Sequence, residues 1–259
     1  MGAARRRPYI NSVMPQRFFV SPDSIRQGRV EFGGAQAHQI RDVLRMRQGQ
    51  EIIVLDNAGN EYRVVLKEVA RDRVAGEVVE QRAAQGEPKT KIILYQAFLK
   101  ADKFEWVLQK GTEIGLAEFV PIVTTRTIAS TVGKQKFARW NQIVVEAAEQ
   151  AGRGKIPVLH SHQRLSDAFV HAQQRGGALI VPWEEERARD LATLLTSVNA
   201  EMIHLFIGPE GGFTAEEIEE ARVMGASSIT LGPRILRAET AGLVAASAIF
   251  YARGDLSAQ

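Results

Sequence analysis

Apolar and polar positions divide this chain into two halves with different periods. Over the first 85 residues the apolar runs are short and bounded by turn residues, which predicts strands at 17–20, 29–32, 51–55, 61–66 and 74–80. Asp56-Asn-Ala-Gly-Asn60 joins the third and fourth runs, and its Asn and Gly supply the positive φ angles of a hairpin loop. Residues 35–47 interrupt the strands with helical spacing, which sets Ile40, Val43, Leu44 and the stem of Arg47 on one face. Short strands around one helix predict a small β-barrel.

Residues 82–90 have no apolar periodicity and contain Gly86 and Pro88, so a linker is placed there. Beyond it, strands alternate with longer helices. A strand at 91–95 leads to a helix at 102–114, where Asp102 and Glu105 have capping-box spacing and Gly115 marks the stop. Phe104, Val107, Leu108 and Ile114 form its inner stripe. A strand at 119–123, a helix at 137–151 ending at Gly152, and strands at 178–181 and 204–207 follow. Thr214 and Glu217 open a helix that Gly225 ends; a strand at 228–231 and an Ala-rich helix at 239–253 complete the pattern. Such alternation predicts a largely parallel sheet covered on both faces.

Composition then narrows the chemistry. The 259 residues are 45% hydrophobic and 24% charged, ordinary globular usage that excludes disorder, collagen and coiled coil for the bulk of the chain. At about 150 residues per domain the length fits one large or two modest domains. With no cysteine, disulfide scaffolds, thiolate zinc sites, iron–sulfur clusters and Cys nucleophiles are excluded. The net charge of +3 is uneven: residues 1–50 hold nine Arg against Asp23, Glu31 and Asp42, a net of +6. A basic front on a near-neutral body fits a protein that docks on a polyanion with one module and works with another; a solvated basic surface is the alternative. Arg5, Arg6 and Arg7 are followed by no apolar core of export-signal length. Residues 241–252 are too short for the ~20 residues of a membrane span. A soluble cytoplasmic protein is expected, with residues 1–15 a loose leader or added tail.

In a parallel α/β sheet, ligands gather at the carboxyl ends of strands. Two such ends carry unusual sequence: Ile207-Gly-Pro-Glu-Gly-Gly-Phe213 and Leu231-Gly-Pro-Arg-Ile-Leu-Arg-Ala-Glu-Thr240. Their glycines let backbone N–H groups approach a ligand, and two Gly-Pro turns at one sheet edge can line one cleft. Neither matches a P-loop or a G-x-G-x-x-G dinucleotide turn, so spacing alone does not name the ligand.

Together these two loops resemble the signature loops of the ribosomal RNA small subunit methyltransferase E family, within the SPOUT class. Lys100 with Phe104-Glu-Trp106, Gln109-Lys-Gly-Thr-Glu-Ile-Gly115 with Pro121, and Trp140 with Glu146-Ala-Ala-Glu-Gln150 and Arg153 agree with it. So do His38-Gln-Ile-Arg-Asp-Val-Leu-Arg45, Gly49 and Asp56-Asn-Ala-Gly59. The resemblance spans residues 16–253 and departs at Gly111, where the family more often has Ala. It implies a PUA-like barrel over residues 16–84 and a trefoil-knotted α/β methyltransferase domain over 85–259. S-adenosylmethionine is the implied donor, N3 of one uridine in the 16S ribosomal RNA of the 30S subunit the implied acceptor, and a homodimer the implied assembly.

Carried onto this chain, the resemblance assigns cofactor binding to Pro182, Ile207, Gly208, Pro209, Glu210, Gly211, Gly212, Leu231, Gly232, Ile235, Leu236 and Arg237. Arg237 is the expected stabiliser of charge on the uracil oxygens. Glu239 is expected to orient Arg237 or take part in proton removal; a first-turn carboxylate also suits a helix start for structural reasons. Arg17, Arg41, Arg45 and Arg47 are candidate phosphate contacts, with a solvated face as the alternative. Arg41 and Arg45 are four apart and would share a helix face. Arg126, and Arg153 with Lys155, are further RNA candidates. His160-Ser-His162 has no third ligand in sequence and reads as surface loop, so no metal site is expected. Trp183 fits pocket lining or packing, Glu184-Glu-Glu186 a solvated helix start, and Trp106 and Trp140 helix packing. Rival readings are a SPOUT enzyme acting on a 2′-hydroxyl or a transfer RNA base, and a non-catalytic RNA-binding or ribosome-assembly protein.

Overall fold

The computed structural model describes residues 15–71, 73–100, 102–127 and 132–257; residues 1–14 of the expected leader lie outside them. The chain divides into two units, Met1–Ala83 and Ala84–Gln259. The first carries a six-stranded mixed sheet built from β1 (Arg17–Phe19), β2 (Ile25–Arg26), β3 (Arg29–Phe32), β4 (Glu51–Leu55), β5 (Asn60–Val69) and β6 (Val74–Ala83). Its order is β1-β4-β5-β6-β3-β2, with β1 parallel to β4 and the other pairs antiparallel. Phe18, Val30, Phe32, Ile52, Val54, Val64 and Leu66 form its core with Ile40 from the helical segment. The β4–β5 hairpin is organised by Asp56, whose carboxylate accepts from the Ala58 and Asn60 amides, the Asn60 side chain and the Tyr62 hydroxyl. Asn57 (φ 58°) and Gly59 (φ 100°) take the expected left-handed conformations.

The helix expected over 35–47 is shorter and wound differently. It comprises α1 (Gly34–His38) followed by a π-helical turn at Gln39–Val43. The wider winding moves side chains off a 3.6-residue stripe: Ile40 is buried, but Val43 is 64% exposed. Arg45 lies past the helical segment at φ 51° and Arg47 beyond it, so Arg41 and Arg45 do not share a helix face.

The second unit holds a wholly parallel sheet. Its strands are β7 (Lys91–Ala97), β8 (Glu118–Val123), β9 (Val158–Leu159), β10 (Gln163–Arg164), β11 (Ala178–Pro182), β12 (Met202–Ile207) and β13 (Ser227–Ile229). The order is β10-β8-β7-β12-β11-β13, with β9 also beside β8. Alternate strand residues feed two cores. Ile92 and Leu94 face α2 (Lys103–Ile114), α3 (Lys134–Ala151), α5 (Leu191–Ser197) and α7 (Ala238–Arg253). Ile93, Tyr95 and Ala97 face α4 (Leu165–Arg175) and α6 (Ala215–Val223). The parallel sheet covered on both faces is therefore as expected; α4 and α5 were not anticipated.

Local signals met different fates. The Thr214–Glu217 capping box forms in full, and Glu217 also accepts the Thr125 amide at 2.7 Å. Asp102 makes no side-chain cap: its backbone is at φ −86°, ψ 2° and not in the extended conformation of a capping residue, and Glu105 bonds Arg139 on α3 at 2.7 Å. Gly111 has a packing reason: a Cβ there would lie 2.7 Å from Leu116 Cδ1 and Phe119 Cε1. Trp140 is buried, as helix packing requires, whereas Trp106 is nearly half exposed.

His160 is not a free loop residue. Its Nε2 lies 2.7 Å from Glu118, which also takes two bonds from Arg175 at 2.6 and 2.8 Å. Arg175 holds the Glu118 carboxyl down at about 2, against burial, which pushes it up, with His160 assisting. A depressed carboxylate stabilises the fold above its ordinary value of 4.5 and loses that contribution as pH falls toward 2. The thermal midpoint should therefore drop between pH 4.5 and 2, with a shallower drop in Glu118→Gln; parallel curves for the two proteins would remove Glu118 from the acid response. Nearby, the His204 imidazole is pushed down by burial, and burial pushes the Tyr95 hydroxyl up to about 12.

Candidate functional site

Because every strand of the second sheet is parallel, all its carboxyl ends lie at one edge. Four of them contribute to the site. β12 ends at Ile207 and releases the Gly208–Phe213 segment into the capped start of α6; β13 releases residues 230–237 into α7; β11 ends at Pro182; β7 leads to Lys103 at the start of α2. Between them lies a cleft of about 920 Å³. All twelve residues expected at the cofactor site line it, and Glu239 does too.

Its glycines admit backbone. A Cβ on Gly208 would stand 3.2 Å from the Gly212 and Phe213 main chain, and Gly212 sits at φ 68° with the Glu184 carboxylate over the place a Cβ would fill. Arg126, exposed after β8, donates to the Gly211 carbonyl at 2.5 Å and the Phe213 carbonyl at 3.4 Å. Its guanidinium thus braces the glycine loop from a strand end two strands away.

Arg237 is the N-cap of α7, extended at φ −66°, ψ 150°, and its side chain makes no capping bond. Arginine is a poor N-cap, so its exposed side chain at the cleft is not explained by the helix. Glu239, in the first turn, is 13% exposed, with Oε2 3.3 Å from Lys103 Nζ. The Glu210 carboxylate accepts the Lys100 amide at 3.2 Å and lies 3.7 Å from Lys103 Nζ. Its carboxyl is held low by backbone hydrogen bonds and the nearby lysines, against burial.

The family of RNA methyltransferase domains matches residues 86–250, more than half of the chain. The ribosomal RNA small subunit methyltransferase E of Bacillus subtilis (strain 168) is 34% identical over 237 residues, 86% of this chain and 91% of the relative. The chain belongs to the ribosomal RNA small subunit methyltransferase E family. An RNA methyltransferase PUA domain matches residues 32–79. The family's representative from Synechocystis is 34% identical, covering 92% of this chain and 78% of the relative. The Neisseria gonorrhoeae family structure, solved bound to S-adenosyl methionine, superposes with TM-score 0.83 at 28% identity, covering 92% of this chain and 98% of that one.

Within this methyltransferase E fold, Lys103 and Arg187 line the cleft without having been singled out from sequence, and Glu184, Phe213 and Arg234 line it although no binding role was expected of them. The signal for Lys103 is its place at the start of the helix that follows a strand end, six residues past Ala97. Trp183 both lines the cleft and packs against the α4–α6 core. Glu184-Glu-Glu186 is a turn and not a helix start. Glu186 accepts the Ser228 hydroxyl at 2.6 Å, which, with the Ala188 and Arg187 amides, holds its carboxyl at about 2.

The expected RNA contacts separate. Arg153 is 3% exposed, so it is withdrawn from the RNA surface: it pairs with Glu87 at 2.7 Å and donates to the Leu116 and Thr112 carbonyls. Arg41 is committed to Asp42 and to the Ala70 and Arg71 carbonyls. Arg17 is half-buried, while Arg45 and Arg47 are exposed. Among the described residues, no helix is long and apolar enough to cross a membrane, and no group of three His, Cys, Asp or Glu could hold a metal ion.

Proposed function

We propose that this chain methylates N3 of a uridine in 16S ribosomal RNA of the 30S subunit, with S-adenosylmethionine as donor. The observation that carries the reading is the single cleft formed by the two signature loops, with Arg237 and Glu239 at the start of α7. The cleft suits the donor's size, and its glycines leave main-chain groups open where a side chain would fill the space. Main-chain groups around Ile207, Gly208, Gly212, Leu231 and Leu236 hold adenine and ribose, and the apolar side chains cover the rings. When bound, S-adenosylmethionine supplies a methyl group on cationic sulfur for in-line displacement, so the protein's task is chiefly positioning. Uracil N3 must lose its proton before it attacks. Arg237 stabilises the negative charge that then spreads to the uracil oxygens. Glu239 orients Arg237 or receives the proton.

The family reading also gives the first unit a closed PUA-like barrel and the second a trefoil knot. It further gives a cytoplasmic homodimer with the site at the subunit interface, supported by exposed Ile235, Val244 and Tyr251 on the cleft loop and α7. Arg17, Arg45 and Arg47 are retained as phosphate contacts. Neutralising Arg45 and Arg47 should lower the slope of log affinity against log salt by about 1 each; an unchanged slope excludes them. Calorimetry tests the donor site: saturable S-adenosylmethionine binding is expected, and none at millimolar ligand would favour a non-catalytic RNA-binding protein.

A further inference from the structure

The two loops of the cleft leave β12 and β13, which are not neighbours: β11 lies between them, so no ladder bond ties their ends together. One side chain spans the gap. Lys103, the first residue of α2, enters beside β12 from the end of β7 and places Nζ 3.7 Å from Glu210 Oε1 on one loop and 3.3 Å from Glu239 Oε2 at the end of the other. Glu239 Oε2 is buried and receives no well-formed hydrogen bond from any described residue. Among the described residues no other cation lies within 4 Å of Glu239. The remaining charged groups lining the cleft are Glu184, Arg187, Arg234 and Arg237. Without Lys103, Glu239 would be a largely desolvated carboxylate with no cation within 4 Å among the described residues, while Glu210 would keep the Lys100 amide and the Lys100 charge.

We propose that Lys103 is a positioning residue that ties the two loops together through Glu210 and Glu239 and so sets the cleft for the donor. The inference rests on reading the cleft as the S-adenosylmethionine site. It is tested on the full chain with Lys103→Met, Lys103→Arg and Glu210→Gln, each checked for intact thermal unfolding. Hydrogen exchange of residues 208–213 and 231–237 is measured without ligand, and S-adenosylmethionine affinity by calorimetry. K103M should speed exchange in both loops and raise Kd about tenfold, while kcat at saturating donor moves less than about threefold. K103R should restore most of both, and adding E210Q to K103M should cost little more, because the two act as one unit. Unchanged exchange in K103M overturns the clamp. So does an additive double variant, which would make Lys103 a direct contact to the donor's carboxylate. If the wild-type chain binds no donor, the cleft reading fails, and ligand-free exchange still decides whether Lys103 ties the loops.

Discussion

Replacing Arg237 with alanine is expected to lower turnover on 30S subunits by about 10²–10³-fold, the usual cost of removing one preorganised donor to developing charge. The fold should tolerate the change. Arg237 caps α7 with its backbone conformation alone, and its side chain bonds none of the free amides there. Affinity for S-adenosylmethionine should stay within about threefold, since donor binding falls to the main chain and the loss belongs to the chemical step. Transfer of labelled methyl groups to 30S subunits, read beside calorimetric Kd, checks both halves. Near-normal turnover would remove Arg237 from the chemistry.

Arg153→Ala should instead unfold the protein more readily and leave its chemistry alone. The guanidinium is buried, bonded to Glu87 and to the carbonyls of Thr112 and Leu116, where α2 runs into β8. Its removal orphans those carbonyls and a carboxylate together, and breaking a buried pair this way costs about 3–5 kcal/mol. Glu87 is about a quarter exposed, so water softens the loss toward the lower figure. Denaturant unfolding measures it. A variant of normal stability with weakened RNA binding would return Arg153 to the RNA surface.

Arg153 also marks where the sequence stopped being legible. Arginine at 153 could be read, but its partner Glu87 lies in the linker and its carbonyl partners at the end of α2, contacts that no local pattern encodes. Arg126 and Lys103 were hidden for the same reason: each acts on a loop far away in sequence. What is local was readable. Thr214 and Glu217 sit three apart and form their box, and Gly115 and Gly152 end helices in left-handed conformations. Strand–helix alternation implied a parallel sheet, which alone brings the two Gly-Pro loops to one edge. The π-helical turn at Gln39–Val43 defeated a 3.6-residue reading because the winding itself changed. α4 is as legible as α3, since Leu165, Ala168, Phe169 and Ala172 keep helical spacing and are its buried residues.

Nucleoside analysis reads the acceptor atom directly. Undermethylated 30S subunits are incubated with the protein and S-adenosylmethionine, and the digested 16S RNA is resolved by nucleoside mass spectrometry. 3-Methyluridine at a single site is expected; a 2′-O-methylated nucleoside, or no new methylation by a protein that binds the donor, would overturn the N3 assignment.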